Sequence, residues 1–202
     1  MAADPTPAAL VELSRVWFLT GDFRARADAD RLAAYERGSA AASRAVAAAP
    51  RDDRAHLWVA LNTARSVELR GAPAALGLIP TIRSESQRVL ALNPSSVEGL
   101  ILAGGLVAGL SVIMGGDGGR AEMLLTRALE LDPHHTGGRL ELARLYVASR
   151  RWWDAQRELQ RVMEEPAPTD LPRWAVSEEP RARALLADLY ARGRLGPPGQ
   201  AP

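Results

Sequence analysis

The residues best equipped for chemistry are few, and their spacing does not suit it. His134 and His135 are adjacent, follow Pro133 and have Asp132 beside them. A metal ion needs three or four ligands converging on one point, and neighbouring histidines in a turn rarely converge, so exposed loop residues and no metal site are expected. His56, close to Trp58, reads as a surface or part-buried histidine at a helix start. The acid pairs Glu164-Glu165 and Glu178-Glu179 fall at helix ends, where paired carboxylates are ordinarily a solvated surface rather than a general acid and base. The glycine-rich segment Gly115-Gly116-Asp117-Gly118-Gly119 lacks the Lys and the following Ser or Thr of a phosphate-cradling loop, and no strand precedes it. A turn with Asp117 capping the next helix accounts for it. There is no cysteine, which removes disulfides, thiolate metal ligands and a Cys nucleophile together. No catalytic residue and no cofactor is expected.

Composition narrows the classes further. The chain has 202 residues, 47% of them hydrophobic and 24% charged, with a formal net charge of +1. That is enough apolar material for one core of ordinary size, and too little charge of one sign for a nucleic-acid partner. All 25 basic residues are arginine, which with the abundant alanine points to a GC-rich bacterial coding sequence. The longest uncharged stretch, Gly99 to Gly116, has about the minimum length for a membrane span. Gly99, Gly104, Gly105 and Gly109 lower its hydrophobicity, and its flanks continue one helical pattern in phase, so a helix buried between neighbours is expected. No secretory signal stands at the start of the sequence, where Met1-Ala-Ala-Asp-Pro-Thr-Pro lacks a basic patch followed by an apolar run.

What must position any functional residue is a repeat. From Thr136 the chain reads Leu142-Ala143, Tyr146, Ala155, Leu159, Val162 and then Pro166. These are the spacings of a tetratricopeptide hairpin, in which small residues let two helices approach and bulky ones fill the groove to the next pair. The segment Ala128-Leu129-Glu130-Leu131-Asp132-Pro133 has counterparts in Val89-Leu90-Ala91-Leu92-Asn93-Pro94 and Ala45-Val46-Ala47-Ala48-Ala49-Pro50. The three prolines are 44 and 39 residues apart, beyond the usual period of about 34. Extra residues are expected in turns, at Arg24 to Ala34, Gly71 to Pro80 and Met114 to Gly119, the first of them helical from Asp28. A last helix is expected to open at Ser177 as N-cap and to cap the stack. The fold predicted is all-α: a tetratricopeptide-like helical-hairpin superhelix of about four degenerate repeats with a C-terminal capping helix. It forms a single domain over 1–192, with a disordered tail at 193–202.

The glycine-containing helix, Gly115-Gly116-Asp117, Ala121, Leu129-Glu130-Leu131-Asp132-Pro133 and Leu142-Ala143-Arg144-Leu145-Tyr146, continuing through Trp174 and Ala182 to Leu189, resemble the T component of TRAP (tripartite ATP-independent periplasmic) transporters. The resemblance spans roughly residues 50 to 192. It implies a periplasmic protein, commonly lipid-anchored through an N-terminal cysteine, that forms a homotrimer, docks a transporter substrate-binding protein and takes an apolar small molecule. The sequence departs from that pattern in having neither the cysteine nor a signal, which leaves a cytoplasmic location as the alternative.

In such a stack the first helix of each pair lines the concave groove. Its inward positions here are Val11, Arg15, Phe18, Val59, Thr63, Ile101, Gly105, Ala108, Leu140 and Arg144. They describe a mainly apolar groove for an apolar ligand or an amphipathic helix, with two arginines to clamp a carboxylate. The competing expectation is that they pack on a folded-back C-terminal helix. Trp152-Trp153 point about 100° apart on a helix, so one is expected to face the core and the other to be either a partner surface or simply partly buried. The function expected is non-enzymatic binding in a bacterial transport system; the alternative is a soluble scaffold that binds a peptide or helix of another protein.

Overall fold

Three turns with one geometry divide the chain into hairpins. At each proline-ended segment the residue before the proline closes the helix. Ala49 N–H donates to Ala45 O (2.7 Å), Asn93 N–H to Val89 O (2.7 Å) and Asp132 N–H to Ala128 O (2.9 Å). The same three residues then accept from the N–H three residues on: Asp52 (3.1 Å), Ser96 (3.1 Å) and His135 (3.3 Å). A residue before proline is pushed out of the helical region, so the sequence itself fixes where each helix stops. The next helix starts at once, because Asp52 Oδ1, Ser96 Oγ and His135 Nδ1 each accept a first-turn N–H, from Arg54, Gly99 and Gly138 respectively.

The structure, a computed structural model, describes residues 4–114 and 118–195, with the backbone alone for 72–75 and 111–114. Its helices are α1 (Pro7–Phe23), α2 (Asp28–Ala48), α3 (Asp53–Arg70), α4 (Ala72–Leu92), α5 (Val97–Met114), α6 (Gly118–Leu131), α7 (Thr136–Ala148), α8 (Trp152–Met163), α9 (Leu171–Arg173) and, after a π-helical turn at Trp174–Glu178, α10 (Glu179–Ala191). There is no strand among the described residues. The chain packs as two compact units, Met1–Gly99 and Leu100–Pro202.

In unit 1, α1 packs on α2 and α2 on α3 through residues without bulk. Ala41, Ala42 and Ala45 are buried, and a Cβ on Gly21 would come 2.4 Å from Tyr35 Cε1. Tyr35 fills the space the glycine leaves, its ring 5.9 Å from that of Phe18, which in turn lies 5.4 Å from Trp58. Burial of a side chain of this size stabilises by roughly 1.5–3 kcal/mol. In unit 2, Ala121, Leu125, Ala143, Ala155, Leu159 and Val162 form a fully buried seam. Gly104 of α5 is set against it so closely that a Cβ there would come 2.7 Å from Leu125. Gly99 and Gly104 of α5 thus serve close packing, whereas a Cβ on Gly109 would meet nothing within 4 Å, and no helix among the described residues is long and apolar enough to cross a membrane.

Three expectations about boundaries come out differently. The first extra segment is helical from Asp28, as expected. The second, Gly71 to Pro80, is not a turn: only Gly71, at φ 77°, turns the chain, and α4 runs from Ala72 with Pro80 inside it. The added residues lengthen the hairpin at its far end, which leaves the register of the packed stripe intact. The last helical segment starts at Leu171 rather than at Ser177. Asp170 Oδ1 accepts from Arg173 N (3.0 Å), and Pro172 takes the first-turn place where a missing N–H costs nothing, so Ser177 falls inside the π-helical turn. Residues 115–117, with the expected Asp117 cap, lie outside the described residues. Of the tail 193–202, Leu195 is buried in the unit 2 core, and 196–202 lie outside the described residues.

Candidate functional site

The histidines and acids are engaged in holding helices together. His56 is buried, with Nδ1 2.5 Å from Glu85 Oε2 and Nε2 3.0 Å from Pro50 O. His134 Nδ1 lies 2.7 Å from Glu165 Oε1, and this contact holds the Glu165 carboxyl below its ordinary range. His135 caps α7. Glu178, in the π-helical turn, is buried and accepts from the Thr136 hydroxyl at 2.5 Å. Burial pushes its pKa up, opposed by that hydrogen bond and by Arg173 and His135. Tyr146 donates to Glu122 at 2.8 Å, and burial together with that carboxylate drives its pKa to about 12. Arg151 covers the same ring at 4.2 Å and pairs with Glu122 and Asp154. Among the described residues no three metal-ligating side chains gather.

The expected groove residues separate into three environments. In unit 1, Phe18, Val59 and Thr63 are buried with Val11 in the interior, and the Thr63 hydroxyl donates to Val59 O (2.7 Å). They are closed to a ligand, because each lies on the face by which α1 or α3 packs against its neighbouring helices. Arg15 is exposed and pairs with Glu12 (2.9 Å). In unit 2, Ile101 and Ala108 pack against the core, and Gly105 faces the Glu141 carboxylate. Leu140 and Arg144 come together in a cleft. Trp152 and Trp153 are both half-buried against the core, with Arg194 5.5 Å over the Trp152 ring, so the pair does not split into one core and one surface residue.

That cleft is the part of the site that sequence reasoning did not assemble. Helix α10 rests on α8, with Gln156 Nε2 donating to Tyr190 Oη (2.8 Å), while the π-helical turn rests on α7. Between α7 and α10 there remains a space of about 350 Å³ lined by Leu140, Arg144 and Val147 on one side and Arg181, Ala184 and Leu185 on the other. Leu140 is its floor. Arg144 is tied to Glu141 at 2.9 Å, whereas Arg181 has no ion-pair partner among the described residues. Of the two outcomes expected for the groove residues, the folded-back helix is present at Leu140 and Arg144, where it supplies the second wall of the cleft.

A family model described as the tetratricopeptide repeat matches residues 113–177, less than half of the chain. Among solved structures, a thermophilic TPR protein from Thermus thermophilus is similar at a TM-score of 0.65 and 19% identity, over 93% of this chain and 82% of that one. A search of curated proteins returned no match. The fold is therefore an all-α arrangement of tetratricopeptide-type hairpins. These findings reach the repeat and do not extend to the TRAP T component.

Proposed function

We propose that the chain is a non-enzymatic scaffold that binds a segment of another protein, and that the α7–α10 cleft of unit 2 receives it. The observation that carries this reading is the pairing of an apolar floor and walls, at Leu140, Val147, Ala184 and Leu185, with cations on both rims, Arg144 and Arg181. An amphipathic helix or short peptide can set one apolar ridge between such walls. A carboxylate on the same segment then meets Arg181 in a charge-assisted hydrogen bond. The volume lies near the lower end of the range for enclosed small-molecule sites, about 300–1,000 Å³, and suits a few peptide side chains better than a whole carried molecule. The tetratricopeptide fold supports the same reading, because its hairpins build concave surfaces on which chains are held.

The test is selection of peptides from a random display library on the purified full chain, followed by titration of the enriched sequences. They are expected to combine two or three apolar residues at helical spacing with an Asp or Glu. Ala184→Arg, which fills the cleft from an exposed position, is expected to weaken them by at least roughly tenfold, about 1.4 kcal/mol. Peptides that bind the parent and Ala184→Arg equally would remove the cleft from the proposal.

A further inference from the structure

One helical turn before the cleft, its two walls are joined by a buried polar contact. Leu140 follows Thr136 by four residues and Arg181 follows Glu178 by three, spacings that set each pair on adjacent turns of one helix side. Thr136 is 2% and Glu178 7% exposed, and Thr136 Oγ1 donates to Glu178 Oε2 at 2.5 Å. Beside this bond a Cβ on Gly137 would come 2.7 Å from Glu178 Oε1. The carboxyl therefore has its place because residue 137 bears no side chain.

The π-helical turn that delivers Glu178 is tied at its two ends to the two helices of the α7–α8 hairpin. Its first residue, Trp174, donates from Nε1 to Val162 O of α8 at 2.7 Å, and its last, Glu178, accepts from Thr136 of α7. Stability alone argues against a carboxyl at this point. Taken from water, it gives up hydration that one hydroxyl does not replace, and Arg173 and His135 offset only part of that loss. Replacing both partners of a buried polar pair by apolar groups of like shape is nearly neutral or stabilising.

We propose that Glu178 is the positioning residue of the cleft: its bond to Thr136 holds the start of α10 at a fixed spacing from α7, and so keeps Arg181 and Leu185 across from Leu140. The inference rests on the reading of the cleft as the binding surface. Gly137 makes room for the bond, and the π-helical turn carries the chain to it from α8.

The chain has no cysteine, so spin labels attach only where cysteines are introduced. Ala148→Cys on α7 and Ala187→Cys on α10 lie at exposed positions, further along both helices than the bond, where a change in the angle between the walls is amplified. Pulsed electron double resonance on the labelled full chain then reads the spacing with no ligand present. One narrow distance is expected for the parent. Thr136→Val, which removes only the donor, and Gly137→Ala, which presses a methyl on the carboxyl, are each expected to broaden and displace it. Glu178→Gln, which keeps an acceptor for the Thr136 hydroxyl, is expected to keep the parent distance. The decisive variant is the double Thr136→Val/Glu178→Leu, expected to lose the narrow distance while its melting temperature holds or rises. A narrow distance retained in both Thr136→Val and the double variant overturns the proposal. A double variant that loses distance and melting temperature together overturns it as well, since Glu178 would then serve the fold rather than the cleft. Glu178→Gln behaving like the double variant would exclude the bond as the cause. Failure of any peptide to bind would remove the reading of the cleft, but would not alter these distances.

Discussion

Helix α1 and helix α8 both carry apolar surface beyond what their own hairpin buries, and the chain treats the two surfaces differently. Over α8 it lays its own last helix: Ala182 and Leu189 of α10 are buried there, Leu195 joins them, and Trp174 locks the approach by donating from Nε1 to Val162 O at 2.7 Å. Over α1 nothing from the described chain is laid, and Leu13, Val16 and Phe23 stay half-open. Covering a face from within costs backbone and side-chain entropy for every residue ordered, about 1–2 kcal/mol each for the backbone alone, but the cover is present at any concentration. Leaving a face open avoids that cost and forgoes the stability the cover would add. One apolar face is thus a finished part of the fold, and the other stays open in the described chain.

The sharpest way to break the contrast is to truncate on both sides of it. Leu189→Ala removes a fully covered side chain and is expected to cost about 2–5 kcal/mol in denaturant melts, with faster amide exchange in α10. Leu13→Ala, measured at dilutions where the chain is single, is expected to stay within about 0.5 kcal/mol. Equal costs would mean that α1 is as fully covered in solution as α8, or that α10 does not hold its place.

A smaller effect, of opposite sign, is expected at the turn that joins α7 to α8. Arg150 has φ 59°, a left-handed conformation that puts Cβ of a non-glycine residue under steric strain. Arg150→Gly is expected to raise stability by about 0.5–1 kcal/mol in the same melts. A loss there would show that the Arg150 side chain contributes more than its backbone costs.

The smallest effect is a change of slope with pH. Folding raises the pKa of Glu178 above its ordinary value of 4.5 because burial disfavours the carboxylate. Its contribution is therefore fully present below the unfolded pKa and declines as pH rises through the folded one. Glu178→Gln is expected to flatten thermal stability between moderately acid and neutral pH, while the parent loses some on that rise. A parent whose stability attributable to this residue grows with pH would contradict the assignment and point to Arg173 as its dominant neighbour.

The hairpin ends were legible in the sequence because proline acts locally: Ala49, Asn93 and Asp132 are forced out of the helix by the residue that follows them, whatever packs nearby. The start of the last helical segment was misread for an equally local reason. Two prolines, Pro172 and Pro180, can each occupy a first turn, and Asp170 competes with Ser177 as the cap. The binding surface was harder. Phe18, Val59 and Thr63 lie on first helices at positions that one repeat exposes and the next covers, and the pattern carries no mark of how much of the circumference neighbours will bury. Leu140 and Arg144 line the cleft from α7, but Arg181, Ala184 and Leu185 belong to a helix more than thirty residues on in the sequence, and only its docking on α8 brings them opposite.

The three turns before Asp52, Ser96 and His135 have one more implication. Each is closed by the same pair of main-chain hydrogen bonds and hands over to a helix capped three residues later, so their backbone seams are interchangeable. A stretch of chain cut from one proline to the next ends in the geometry with which it began. Such a cassette could be duplicated or deleted without redesigning a joint, which is how an array of this kind would grow or shrink by whole hairpins, its spacing drifting only at the far ends of the helices.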